Sequence, residues 1–229
     1  MNYVESLKKY WNIIIDCPLF AGISPEYIND MLVSLDSHIG HYPKNEIIIN
    51  LGDEFRCCGI VLEGTLEVSY NTNRFEKHNV NHFSTGKIFG ESLALKGIAH
   101  SPVQVAALTD AVVLLIDLRK LVLSTNRCNR DCIYNHQLLL NIMDRMAEQI
   151  IFSNLKLRIL GQKSLRDRIM IYLTHMNADK PEGAELPFSQ TSLAEFLGVN
   201  RSALARELGR MQDDRILKIN KKHYWILTS

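Results

Sequence analysis

Arg201 and Arg206 with Ser202, in the run Arg201-Ser202-Ala-Leu-Ala-Arg206, are the residue types of this chain best placed to do chemistry. That chemistry is recognition. A guanidinium pairs bidentately with O6 and N7 of guanine in the major groove, and a serine hydroxyl serves as donor or acceptor to a base edge. On a helix, Ser202 and Arg206 are four residues apart and share a face, with Arg201 at the entrance. Ser189 and Thr191, at the head of the preceding helix pattern, are further DNA-binding candidates. Lys221 and Lys222 follow at a turn between two strand-like runs, where a charged tip can meet phosphate.

A reading helix must be held by a second one, and the sequence supplies the parts. Ala194 gives a small side chain where two helices cross, and Gly198 gives the left-handed residue that ends the first helix without a Cβ penalty. Leu193, Leu197, Val199 and Leu204 are apolar where such a unit packs on its own domain, and Leu204, Leu208 and Met211 form an inward face. The runs 216–220 and 223–227 read as the strands of a wing. The plainer reading is a helical hairpin with solvated arginines. It does not account for the small residue, the glycine, the apolar pattern and the basic hairpin together.

Upstream, residues 17–125 read as a helix from Ser24 (apolar Ile28, Met31, Leu32, Leu35) followed by short strands. These are expected at 47–49, 59–62, 65–70, 103–107 and 112–116, with Gly64 at a tight turn, and their density suggests a barrel or sandwich. Residues 128–161 read as one long helix. Cys132, His136, Leu139, Met143, Met146, Ile150, Ser153, Leu157 and Leu160 recur at alternating steps of four and three. Such a stripe pairs with a copy of itself, which makes Leu139, Met143, Met146, Ile150 and Leu157 the expected dimer contacts. A helix that simply lies on the barrel is the plainer alternative; both can hold, because Ile142, Ile151, Leu155 and Ile159 lie off the seam and are free to face the barrel. Gly161 ends the helix, Ser164 opens another, and the loop 177–183 with Pro181 closes that one. The expected division is thus residues 1–127, an effector-binding domain; 128–161, a dimerisation helix; and 162–229, a DNA-binding domain.

The bulk numbers permit this and exclude other classes. The 229 residues are 46% apolar and 22% charged, an ordinary globular composition. No apolar run is long enough for a membrane span and the first ten residues do not resemble a signal peptide, so a cytoplasmic protein is expected. Net charge is +1, yet residues 161–229 carry 11 basic against 8 acidic side chains, which leaves −2 for the remainder. Five cysteines, an odd number, argue against a disulfide framework. An enzyme is not expected: Gly90-Glu-Ser92-Leu-Ala94 fails the nucleophile-elbow pattern, and neither a zinc-protease motif nor a phosphate-cradling loop occurs.

Taken together, several segments resemble the family of the cyclic-AMP receptor protein and the fumarate-nitrate reduction regulator. They are Cys17-Pro-Leu-Phe-Ala-Gly-Ile-Ser24, Gly52-Asp53, Val61-Leu-Glu-Gly64-Thr-Leu-Glu-Val68, Gly86-Lys-Ile-Phe-Gly90-Glu91 and the segment that opens with Leu186-Pro-Phe-Ser-Gln190. The resemblance implies an α+β protein with a cyclic-nucleotide-binding-type β-roll, a long dimerisation helix and a C-terminal winged helix-turn-helix. It also implies a homodimer on a palindromic operator in double-stranded DNA, a small-molecule or redox effector and, for an activator, RNA polymerase as a partner. Cyclic-AMP binders of the family use Gly-Glu for the ribose, matched by Gly90 and Glu91, and Arg-Ser for the cyclic phosphate. That second position falls at Ser101-Pro102, by alignment through Val105-Ala-Ala-Leu-Thr-Asp110. A hydroxyl followed by a residue lacking an N–H cannot replace a guanidinium clamp, so cyclic AMP is not the expected effector. Ser153 and Asn154 align with the pair through which the cyclic-AMP member's helix touches its ligand. Gly90, Glu91, Ser101, Ser153 and Asn154 are therefore the candidate effector residues. Iron–sulfur sensing is not expected with Cys17 alone near the N-terminus. Metal or redox sensing by Cys128 and Cys132, or a haem held by His100, His136 or Cys132, stays open, as does a ligand-binding adaptor that does not bind DNA.

Overall fold

The computed structural model describes residues 7–54, 56–71, 77–124, 132–186 and 189–227. Its contacts divide the chain into two units, with the boundary between Met146 and Ala147, inside the long helix Cys132–Leu160.

The first unit opens with helix Trp11–Ile15, a single 3-10 turn Pro18–Phe20 and helix Pro25–Ser34. Ser24 has the extended backbone of an N-cap and Pro25 occupies the first helical position, where its missing N–H costs nothing. As the periodicity predicts, Ile28, Met31, Leu32 and Leu35 are buried. Eight strands follow: β1 His38–Tyr42, β2 Ile47–Ile49, β3 Cys58–Glu63, β4 Thr65–Asn71, β5 Lys77–Ser84, β6 Ile88–Phe89, β7 Gln104–Ala107 and β8 Ala111–Ile116. They form two antiparallel four-stranded sheets, ordered β1-β8-β3-β6 and β2-β7-β4-β5, which is the β-roll. In β7 burial alternates, so one face is covered; in β3 five consecutive residues are buried, so both faces are. Helices Trp11–Ile15 and Glu91–Lys96 pack against β3. Gly64 links β3 to β4 at φ +85°, and a Cβ there would stand 2.2 Å from the Asp110 carbonyl oxygen, so no other residue fits the turn.

Four strands have no counterpart in the sequence reading: β1, β5, β6 and, in the second unit, β9 Ala184–Glu185. Each lies at the edge of its sheet. β1 and β5 hold few apolar residues and β6 and β9 are two residues long, so none gives a hydrophobic pattern, whereas the edge strands β2 and, in the second unit, β10 Leu217–Asn220 do.

The second unit holds the end of the long helix, helix Leu165–His175, β9, helices Gln190–Phe196 and Arg201–Asp213, and the hairpin β10 Leu217–Asn220 with β11 His223–Ile226. Its sheet is ordered β10-β11-β9. Leu155 and Ile159 belong to this unit's core, with Ile169, Leu173, Leu193, Leu204 and Met211. The reading that lets Ile142, Ile151, Leu155 and Ile159 all face the barrel is therefore corrected. Ile142 is buried in the roll's core, Ile151 is 61% exposed, and Leu155 and Ile159 serve the other core. Ile142 lies in the part of the helix that belongs to the first unit, and Leu155 and Ile159 in the part that belongs to the second. Among the described residues, no helix is long and apolar enough to cross a membrane.

Candidate nucleic-acid interface and sensor fold

Ser189 caps helix Gln190–Phe196, its Oγ accepting the Ser192 N–H at 3.2 Å. The helix ends in a Schellman turn. Val199 donates its N–H to the Ala194 carbonyl (3.0 Å) and Gly198 donates to that of Glu195 (3.1 Å), with Gly198 left-handed at φ +71°. A Cβ at Gly198 would come within 3.0 Å of the Leu160 Cδ2. Asn200 then caps helix Arg201–Asp213, its Oδ1 accepting the Ala203 N–H at 2.8 Å. Leu204, Leu208 and Met211 are buried, while Arg201, Ser202 and Arg206 are exposed. Among the described residues no carboxylate pairs with Arg201 or Arg206. The Arg206 Nε donates only to the Ser202 carbonyl, at 3.3 Å. Thr191 is exposed on the preceding helix. The wing is a two-residue hairpin: Asn220 faces His223, and Lys221 and Lys222 form its exposed tip.

Three functional residues escaped the sequence reading. Asn200 orients the start of the recognition helix, and its signal was an asparagine directly before the first helical residue. Arg166 bonds Glu207 (Nε to Oε1, 2.8 Å) and Asp214 (2.8 Å), and so ties helix Leu165–His175 to the recognition helix. With Glu207 so engaged, the carboxylate beside Arg206 is drawn away from it. The third is Arg145, in the sensor.

On the long helix Met143, Ile150 and Leu157, one heptad apart, are 65%, 58% and 70% exposed. Leu139 and Met146 instead pack partly against the roll's core. Ser153 and Asn154 are exposed. His136 is also exposed, and His100 is held through Nδ1 to the Gly52 carbonyl at 2.9 Å. Cys128 and the side chain of Cys132 lie outside the described residues. Among those described there is no group of three or more potential metal ligands.

Two family models match the chain: a cyclic nucleotide-binding domain over residues 39–122 and a Crp-like helix-turn-helix domain over residues 167–228. Several solved structures share the fold. The Thermus thermophilus catabolite activator protein superposes with a TM-score of 0.53 at 18% identity, covering 91% of this chain and 93% of its own. The c-di-GMP-responsive global regulator CLP of Xanthomonas campestris gives 0.52 at 19%, covering 90% of this chain and all of its own. DNR of Pseudomonas aeruginosa gives 0.51 at 16%, covering 100% and 96%. No curated protein matches the chain in sequence. The chain belongs to the Crp/Fnr family of transcription regulators. It is a DNA-binding regulator with a cyclic-nucleotide-binding-like domain.

In this regulator the Gly90-Glu91 position is engaged from within. Glu91 opens helix Glu91–Lys96 after a left-handed Gly90, and its side chain is 10% exposed. Arg145, from the long helix, reaches its Oε1 through a guanidinium NH2 at 3.1 Å. The Arg145 Nε is buried and has no partner among the described residues. One turn earlier Asn141 donates to the carbonyls of Leu19 (2.9 Å) and Ala21 (2.8 Å), and accepts from Gln137 (3.0 Å). Gln137, Asn141 and Arg145 thus form a polar ladder at steps of four that fastens the helix to the roll. That ladder was visible as a period beside the apolar one. Ser101 is buried, and its Oγ donates to the Val103 carbonyl at 2.6 Å and accepts from the Val103 N–H at 3.3 Å. With that hydroxyl turned inward and Pro102 next, this position does not fit a cyclic phosphate.

Burial pushes the described thiols up: Cys17 to about 11, Cys57 in the same direction, and Cys58, fully buried, well above its usual range. All three are protonated at neutral pH, which makes them poor nucleophiles and poor metal ligands.

Replacing Glu91 by Gln leaves Arg145 buried without its counter-charge. Breaking a fully buried pair costs about 3–5 kcal/mol; Arg145 keeps a quarter of its side chain in solvent, so a loss of about 2 kcal/mol is expected. Urea unfolding measures it. In a double-mutant cycle with Arg145→Met, the double variant loses less than the two single losses combined, whereas additive losses would mean the pair is not coupled.

Proposed function

We propose that this regulator reads a palindromic operator as a homodimer and that an effector other than a cyclic nucleotide gates it. The observation that carries the DNA reading is the recognition helix. One of its faces is closed against the core, and the other presents Arg201, Ser202 and Arg206 with no carboxylate of the described residues holding the arginines. Ser189, Thr191, Lys221 and Lys222 are exposed and supply the flanking contacts in this reading. RNA polymerase is the further partner where the regulator activates.

Dimerisation is supported by the exposed heptad Met143, Ile150 and Leu157. A stripe of large apolar side chains in water is costly unless a partner covers it, and a regular heptad is the pattern that a second copy covers. Leu139 and Met146 border this seam. For the effector we assign Gly90, Glu91 and Ser101 to the roll's ligand side, and Ser153 with Asn154 to the helix. The internal bonds of Glu91 and Ser101 argue against a ribose and cyclic phosphate there. A thiol sensor gains no support from the buried Cys17 and Cys58. A haem reading rests on His100 and His136 alone among the described residues.

Arg206→Ala is expected to weaken operator binding by about 1–3 kcal/mol while leaving random duplex nearly unaffected, since a bidentate guanine contact is lost. Equal losses on both duplexes in a binding titration would reassign Arg206 to phosphate.

Ile150→Lys is expected to convert the dimer to a monomer in sedimentation, with the circular dichroism of the fold intact, because Ile150 is exposed within one protomer. Met146→Lys would be a poorer test, since Met146 also packs on the roll. An unchanged dimer would rule out this seam.

Ser153→Leu is expected to tighten the dimer and to reduce the ratio of operator affinities with and without effector, which for coupled sites is about 5–150-fold. Operator titrations with and without the small molecules recovered from the natively purified protein measure it. A wild-type ratio in the mutant would make Ser153 a packing residue only.

A further inference from the structure

The hydrogen bonds at the head of the recognition helix fix which way the Ser202 hydroxyl faces, and so what kind of base edge it can read. This inference rests on the DNA-reading assignment above and deepens it. The Asn200 side chain has one oxygen, an acceptor, and one NH2 group, a donor. The atom that faces the Ala203 N–H at 2.8 Å must be the oxygen, because an NH2 group cannot accept. Ser202 Oγ stands 2.9 Å from that same oxygen. Between a hydroxyl and an amide oxygen, only the hydroxyl has a proton to give. Ser202 therefore donates to Asn200, and no choice of rotamer or amide flip reverses the direction while the cap is made.

No helical carbonyl competes for that proton. A serine inside a helix commonly bonds the carbonyl three or four residues back. For Ser202 those residues are Gly198 and Val199, which lie before the helix and outside its hydrogen-bonded turns. The hydroxyl proton is thus committed, and what Ser202 presents outward is lone pairs.

We infer that Ser202 acts as a hydrogen-bond acceptor in the major groove and that Asn200 is the positioning residue that makes it so. Of the base-edge groups in that groove, N4 of cytosine and N6 of adenine are donors; O6 and N7 of guanine and O4 of thymine are acceptors. Ser202 selects cytosine or adenine on the strand it contacts and disfavours guanine and thymine. A free serine would tolerate all four. Asn200, its oxygen occupied twice, has both amide protons unengaged among the described residues, and these suit a phosphate oxygen, which would keep the cap closed on DNA.

The test is selection from a random duplex library, in low-salt buffer, by the full-length wild type and by Ser202→Ala, Asn200→Gly and Asn200→Asp. The wild type is expected to enrich half-sites with cytosine or adenine at one position. At that position Ser202→Ala lowers the preference by about fivefold, the worth of one neutral hydrogen bond. Glycine is tolerated at a helix start, so Asn200→Gly keeps the fold while releasing the hydroxyl. It narrows the same preference and leaves the positions read by Arg201 and Arg206 unchanged. Asn200→Asp keeps an acceptor oxygen; it preserves the preference and weakens all duplexes alike through its charge. Guanine or thymine at the Ser202-dependent position overturns the acceptor assignment. So does a profile that Ser202→Ala leaves unchanged, or a preference that survives Asn200→Gly. If the wild type enriches no sequence, the DNA-reading assignment itself falls.

Discussion

The reading surface depends on three residues of backbone between two helices. Gly198 must take a left-handed conformation, because only then do the N–H groups of Gly198 and Val199 turn back onto the open carbonyls of the helix just ended. That sets where Asn200 stands, and Asn200 sets where the next helix begins. Arg201, Ser202 and Arg206 face outward because Leu204, Leu208 and Met211, at the complementary spacing, face inward. A side chain at position 198 would press on Leu160 and strain the backbone at once, so the aim of the helix is built into the turn that precedes it.

The sensor half answers to a different constraint, the cost of placing charge in a partly closed site. Glu91 is nearly buried and would be unstable there alone; Arg145 supplies the compensating charge from the long helix. The same helix gives Ile142 to the roll's core and Asn141 to its backbone carbonyls. Leu138 is buried there too, with Tyr134, Leu139 and Met146 packed at the margin, so apolar and polar contacts together attach the helix to the roll. Met143, Ile150 and Leu157 are among the apolar residues of the helix left uncovered, and they are the ones that recur at seven-residue steps.

Much of this was legible in the sequence, and the reason differs by element. Helices announced themselves through period: Ile28, Met31, Leu32 and Leu35 are all buried, and the recognition helix's inward and outward faces lie as their spacing implies. Central strands did so through apolar runs. β1 and β5 did not, because they hold few apolar residues, nor did β6 and β9, which are two residues long and too short to show a period. The reader unit was visible because Ala194, Gly198 and the arginines carry separate signals that coincide. Arg145 and Arg166 were not singled out, since a partner 54 or 41 residues away is a property of the fold; Asn200 carried a local signal, its place directly before the helix. Leu155 and Ile159 were misplaced for a related reason: periodicity says which residues share a face, and cannot say which of two cores that face meets.

The polarity of the sheet edges has its own consequence for how copies of the chain meet. β1 is His38-Ile-Gly-His-Tyr42, with His38 and His41 exposed, so the open backbone at that rim of the roll is flanked by polar side chains. Strand-to-strand addition at that rim would set these histidines against a second strand. Self-association through the sheets, which has no natural end point, is thereby discouraged. What is left for association is a helical stripe of fixed length, and a stripe that pairs with its own copy is used up in doing so. An assembly built on such a stripe is closed and finite.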